Sequence, residues 1–260
     1  MQVAVFAALL LAWWAVARFA GINPVVLPSP GSVAQDLIDS NICRAPSEGS
    51  VRADCGVQGY FLWQHLLATL QRIGAGLLVG TIAGIALGCV LGLSHTVRSI
   101  VEPYLAFLRA LPPLGYIGLL IVWFGIGDLS KGVLLFLAAF PVVVAATLQG
   151  VVGIRKDWVL AARTLGASKW DVARRVIIPG ALPEIIGGIR LATALCWSAI
   201  VAAEMNDGIP GIGGLAYVSG TQLDTSLTIA CIIVIGATAL LIDQILLRVE
   251  RAFAPWKARQ

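Results

Sequence analysis

The chain has 260 residues, 58% hydrophobic and only 12% charged, with a formal net charge of +4 and a mean hydropathy of +0.89. Soluble domains carry about a quarter charged residues, and a water-soluble chain this oily would expose large apolar patches and aggregate. The composition excludes a water-soluble globular domain and predicts an all-α integral membrane protein.

A helix needs about 20 apolar residues to cross the hydrocarbon core. Segments 3–20, 66–93, 98–124, 131–150, 183–204 and 225–247 qualify, which predicts a six-transmembrane-helix bundle within a single domain, 1–260. The first, "MQVAVFAALLLAWWAVARFA", lacks the basic n-region of a cleavable signal. It reads as a span with Trp13, Trp14 and Arg18 near its far interface, and its abrupt start leaves room for a short missing leader. Segment 21–64 follows as a loop whose surface helix begins near Ser32, with Val33, Leu37 and Ile38 on its apolar side. Cys43 and Cys55 lie in that loop, as a disulfide or as two unpaired thiols, while Cys89, Cys196 and Cys231 fall inside spans as small buried residues.

The second span carries Gly76, Gly80, Gly84, Gly88 and Gly92, one every fourth residue. Helices in lipid gain no hydrophobic energy from touching, so small residues that let backbones approach act as the adhesive. The stripe predicts a seam of close helix packing. In the third span Pro112-Pro113 must break or kink the hydrogen-bond ladder, leaving either one bent span or a span followed by a re-entrant piece. Charges inside spans need an account. Arg72 is placed to snorkel outward, and Asp243 to pair with Arg248 or Arg190. Arg109, directly before "ALPPLG", and Glu204, in "VAAEMNDG", each read as a structural brace or as the lining of a wet substrate path together with Pro112 and Pro113.

Between the fourth and fifth spans runs "VLAARTLGASKWDVARRVIIPGALPE". It predicts a helix from about Asp157 to Leu165, a stop at Gly166, and a second helix from Ser168 to Pro179, with Trp170, Val172, Val176 and Ile177 available for packing. The 150–183 loop holds Arg155, Lys156, Arg163, Lys169, Arg174 and Arg175, and the tail holds Arg248, Arg251, Lys257 and Arg259, whereas 204–224 has no Lys or Arg. The positive-inside rule then puts the basic loop and both termini in the cytoplasm and loop 21–64 outside. A basic patch for acidic lipid headgroups would explain the charge, but not the Ala161-Ala162 pair, the glycine turn or the proline at a fixed distance.

Catalytic signatures are missing. The sequence has no GxxxxGK[ST], HExxH or CxxC, and its two histidines, His65 and His95, sit at opposite ends of one span. The glycine-rich "GIPGIGG" at 208–214 lacks the phosphate-binding lysine. No metal site or enzymatic constellation is predicted. A self-contained secondary transporter or channel would need a coupling carboxylate deep in the bundle, yet the deepest charge is the cationic Arg109.

The interrupting segment resembles the signature of importer-type ABC transporter permeases, which reads EAA, three residues, Gly, nine residues, then Ile-x-Leu-Pro. Here it stands as Leu160-Ala161-Ala162, Gly166, then Val176-Ile177-Ile178-Pro179, with Leu160 in place of the glutamate. "LPSPGSV", "LWQHLLATLQRI", "RALPPL", "IVWFGIGDLSK" and "VIIPGALPEIIGGIR" are similar to the nitrate, sulfonate, taurine and bicarbonate branch, and the ending "ERAFAPWK" is most similar to taurine permeases. The resemblance implies a type I importer fold in which 153–180 is a cytoplasmic coupling segment. Ala161, Ala162, Gly166, Ala167, Ser168, Lys169 and Pro179 would contact an ATPase subunit. It further implies a homodimer in the bacterial inner membrane, two ATP-binding chains that supply the ATP and magnesium site, and a periplasmic or lipid-anchored substrate-binding protein. Nucleic acid is not among the implied partners. The periplasmic loop 206–222, with Gly208, Gly211, Gly213 and Gly214, would form part of the outer gate or of a docking surface.

Overall fold

The computed structural model describes residues 2–44 and 54–253. Its elements are α1 (Gln2–Phe19), α2 (Pro30–Asp39), β1 (Cys43–Arg44), β2 (Asp54–Cys55), α3 (Leu62–Leu93), α4 (His95–Ala110), α5 (Pro113–Phe124) and α6 (Asp128–Val152). There follow α7 (Lys156–Thr164), α8 (Lys169–Val172), a π turn (Ala173–Ile177), α9 (Ile178–Asp207), α10 (Ile212–Thr221) and α11 (Thr225–Phe253). Two compact units emerge, one of Met1–Gln71 with Val201–Thr238 and one of Arg72–Ile200 with Ala239–Gln260, where the sequence reads as a single domain.

The six-span count is not reached by length and composition. Among the described residues, four helices are long and apolar enough to cross a membrane, and the pair α4 and α5, bent by 96°, makes a fifth if it counts as one span. The apolar stretch Ala4–Phe19 at the start of the described residues is shorter than these.

In the second unit the glycine stripe of α3 lies against α6. A β-carbon placed on Gly76, Gly80, Gly84, Gly88 or Gly92 would meet a side-chain carbon of Leu135, Ala139, Val143, Thr147 or Val151, in that order, at 2.4 to 3.0 Å. Both partners advance by four residues at each step, so α3 and α6 run parallel. The chain must therefore return between them, and the bent pair makes that return, which favours counting it as one crossing. Leu91, Leu105, Val144 and Leu148 pack as one apolar cluster beside the seam, and Val151, Ala181 and Ile185 as another. Arg72 does not snorkel; its Nε donates to Asp128 at 2.7 Å and its side chain is 11% exposed.

The first unit holds the N-terminal region. Ser29, rather than Ser32, caps α2 by accepting from the Ser32 amide, and Pro30 occupies the first turn, where its missing N–H is not needed. Val33 is buried and Leu37 packs against Leu62, Ile212, Leu215, Leu227 and Cys231, while Ile38 remains exposed. The strands β1 and β2 pair antiparallel with Cys43 opposite Cys55, and a disulfide joins these two residues. Cys196 and Cys231 are buried and Cys89 is half-buried, all three as free thiols.

Candidate functional site

The elbow is built by local chemistry. Helix α7 starts one residue before Asp157, which sits in its first turn instead of capping it; Arg155 takes the cap position without a side-chain bond. Gly166 follows with φ +85, the left-handed conformation that lets a helix end and reverse. Ser168 then opens α8 with a capping box. Its hydroxyl accepts from the Asp171 amide at 3.2 Å, and the Asp171 carboxylate accepts from the Ser168 amide at 3.3 Å and hydroxyl at 2.5 Å. These bonds from Ser168, with Arg175 nearby, hold the Asp171 carboxyl below its ordinary value of 3.8.

Two features differ from the sequence reading. The second arm does not stop at Pro179: helix runs on from Lys169 to Asp207 over 39 residues. Proline in a helix clashes with the carbonyl four residues back. The π turn immediately before Pro179, where the Ile178 amide donates to the Ala173 carbonyl, opens the helix by one residue at that point and accommodates the ring. The elbow is thus fused to a spanning helix. Trp170 does not pack inward; it is 70% exposed and Leu165 88% exposed, whereas Val172 is buried at 2%. Ala161 and Ala162 lie near the C-terminal end of α7, Gly166, Ala167 and Ser168 in the turn that follows it, and Lys169 opens α8, while Pro179 belongs to the start of α9.

Arg109, Pro112 and Pro113 also come together. They line a cavity of about 120 Å³ with Tyr116, Pro141 and Leu195 among its other walls. The bend between α4 and α5 ends the first ladder at Ala110 and starts the second at Pro113. Carbonyls of the last turn of a helix have no helical donor. Pro141 likewise leaves the Leu137 carbonyl of α6 without one. Leu137 and Val142 stand midway along α6 and Leu195 midway along α9, and broken helices of membrane transporters place their sites near the middle of the bundle. Arg109 and Tyr116 are the polar side chains among its lining residues, which are otherwise apolar. Sequence reasoning missed Tyr116 and Pro141; a proline within an otherwise unbroken apolar run was the available signal for the second.

Glu204 is not part of that cavity. It is 1% exposed, in the first unit, and accepts from the Thr69 hydroxyl at 2.9 Å and from the Gly213 amide at 2.9 Å. Thr69 Oγ1 in turn accepts from the Ile212 amide at 3.0 Å. Buried His65 takes the Gly211 amide on Nδ1 at 3.1 Å, which leaves the Nε2 proton for the Val57 carbonyl at 3.2 Å. Three side chains, Glu204 among them, thereby satisfy the first amides of α10. Of the glycines expected in an outer gate or docking surface, Gly213 and Gly214 lie inside this helix and are buried, and a β-carbon on Gly213 would lie 2.8 Å from the Val201 backbone. His65 and Thr69 sit one helical turn apart on one face of α3, a polar pair visible in the sequence but not read as a unit.

A multi-span helical bundle with a fused extramembrane elbow and a cavity at a broken helix defines a membrane transport protein. Residues 76–257 match the family described as binding-protein-dependent transport system inner membrane component, and the chain belongs to that family. It is 38% identical over 256 residues to the taurine transport system permease protein TauC of Escherichia coli strain K12, covering 98% of this chain and 89% of that one. It is 33% identical over 197 residues to the bicarbonate transport system permease protein CmpB of Synechococcus elongatus, covering 75% and 70%. Among solved structures, an inward-facing MetNI methionine ABC transporter matches with a TM-score of 0.66 at 19% identity, over 74% of this chain and 97% of that one. This last likeness shows a shared fold.

Proposed function

We propose that the chain is the permease subunit of an ATP-driven importer of a small sulfonate, taurine foremost, acting as a homodimer with two ATP-binding subunits and a substrate-binding protein. The observation that carries this reading is the elbow: a capped, solvent-exposed knob bearing Leu165 and Trp170 and continuous with a spanning helix. An exposed apolar knob at a helical turn needs a protein partner, and an unbroken helix transmits a push on it into the bundle. ATP and magnesium belong to the partner chain, and this subunit is non-catalytic. The basic elbow and both termini face the cytoplasm, and loop 21–64, with its disulfide, faces the oxidising side.

The cavity at the broken helix is the substrate path in this reading, with Arg109 meeting the sulfonate and the unbonded carbonyls accepting from the ammonium group. A simple inorganic anion would leave those carbonyls unused, which favours an aminosulfonate. The identity to a bicarbonate permease supports a second reading in which the same site carries bicarbonate or another small anion.

The test is reconstitution of the permease with its ATPase and binding protein, with ATP hydrolysis and uptake measured for taurine, alkanesulfonates, nitrate and bicarbonate. Taurine is expected to stimulate both, and Arg109→Ala to cut uptake at least tenfold without loss of assembly. Stimulation by nitrate or bicarbonate alone would sink the sulfonate reading. Gly166→Val, which forces a β-branched residue to φ +85, should abolish substrate-stimulated hydrolysis while the protein still inserts.

A further inference from the structure

The structure assigns a role to an ionic cluster that the elbow and the cavity do not use: we propose that Arg190 is a positioning residue for coupling, fastening the C-terminal half of α11 to α9 so that both move as one body when the elbow is pushed. This rests on the reading of the elbow as the contact with the ATPase.

Arg190 grips Asp243 with two parallel bonds, Nε to Oδ1 at 2.8 Å and Nη2 to Oδ2 at 3.1 Å, and reaches Glu250 with Nη1 at 3.3 Å. Asp243 and Glu250 are seven residues apart, two turns on one face of α11, so one guanidinium holds two levels of the same helix. From Ala239 to Phe253 no residue of α11 is buried, and none joins the apolar clusters of the second unit. A half-buried stripe of Ile242, Asp243, Leu246, Leu247 and Glu250 runs along this half of α11, and the Arg190 ion pairs add a directional attachment on that side. Arg190 lies on the same continuous helix as the elbow arm, about 30 Å beyond Lys169 at 1.5 Å per residue. Apolar contact is non-directional, whereas a two-pronged guanidinium–carboxylate pair fixes orientation as well as distance. A stroke delivered along α9 thus reaches α11 through Arg190.

A purely static role would be to neutralise carboxylates near the membrane, which any cation would satisfy. Arg190→Lys separates the two, because it keeps the charge and loses the planar fork. In proteoliposomes holding the permease, its ATPase and the binding protein, Arg190→Lys should assemble and hydrolyse ATP normally, while taurine moved per ATP falls several-fold. In the pair Arg190→Cys with Asp243→Cys, joining the two thiols with a bis-maleimide should restore the coupling ratio, since a covalent tether replaces the clamp. A normal ratio in Arg190→Lys, or uptake and hydrolysis falling together with the amount of folded complex and no rescue by the tether, overturns the proposal. Gly166→Val is run in parallel. If it uncouples while Arg190→Lys does not, only the clamp fails; if it leaves coupling intact, the elbow reading fails as well.

Discussion

Helix α3 and the elbow both depend on glycine, for unrelated reasons. None of Gly76, Gly80, Gly84, Gly88 and Gly92 has positive φ, and each is small because α6 is too close for a β-carbon. Gly166 is the reverse: nothing lies within 4 Å of its absent β-carbon, but its φ is +85. One set buys approach between helices in lipid, where contact must come from shape; the other lets the backbone turn in a place open to solvent. The same letter therefore predicts opposite sensitivities, to volume in the seam and to backbone conformation in the elbow.

The seam should show the largest effects. One added methyl in a close-packed contact costs about 1–3 kcal/mol, and the five positions should not be equal. At Gly76 the obstructing atom is Leu135 Cβ at 2.4 Å, and at Gly88 it is Thr147 Cβ at 2.5 Å; both are fixed to the backbone and cannot turn aside. At Gly92 the nearest atom is Val151 Cγ1 at 2.4 Å, which can change rotamer, but Val151 Cβ at 2.7 Å cannot, and at Gly80 the approach is 3.0 Å. Alanine at Gly76 or Gly88 should lower the melting temperature of the purified permease most, and at Gly80 least. A flat series, or one in which Gly80→Ala is worst, would show that α6 does not set the requirement.

The elbow should respond less, and differently. Placing a non-glycine L-residue in the left-handed region costs roughly 1–2 kcal/mol, and asparagine tolerates it better than alanine. Gly166→Ala should weaken substrate-stimulated ATP hydrolysis several-fold with the melting temperature of the permease nearly unchanged, and Gly166→Asn should retain more activity than Gly166→Ala. If Gly166→Ala instead lowers melting as much as Gly76→Ala does, the elbow is part of the packed core and the contrast disappears.

The contrast also explains what was legible in the sequence. A four-residue glycine repeat records helical geometry directly, so the seam could be read, though not its partner α6, because partner choice depends on the return made by α4 and α5. The glycine turn and the Ser168 start were readable as local chemistry. The continuation through Pro179 was not, because a proline normally signals a stop and the π turn that absorbs it has no marker in composition. Trp170 and Val172 both read as available for packing, but they point to different sides of the helix, and only Val172 is buried. Glu204 allowed two readings since its partner Thr69 is 135 residues away and meets it only in the folded unit. The 96° bend followed from Pro112-Pro113 in kind but not in angle.

The smallest expected effect concerns the hydrogen bonds that start the second arm. The Asp171 carboxyl is held below its ordinary value chiefly by the Ser168 hydroxyl and then by the Ser168 amide, with Arg175 adding a weaker attraction. A carboxyl whose folded value is depressed adds its stabilisation above the unfolded value and loses it as pH falls through the folded one. The box should therefore be intact at neutral pH and fade only below pH 3.8, the ordinary value. Amide exchange tests this at two donors, Ser168 and Asp171, with rates normalised for intrinsic pH dependence. Their protection should fall several-fold on acidification below that point while amides of the α3–α6 seam are unaffected. Asp171→Asn should reproduce part of the loss at neutral pH, because the amide keeps an acceptor oxygen but not the charge. Equal loss of protection in the seam would mean that the elbow and the packed helices open together, and that the two uses of glycine are not separable in the working molecule.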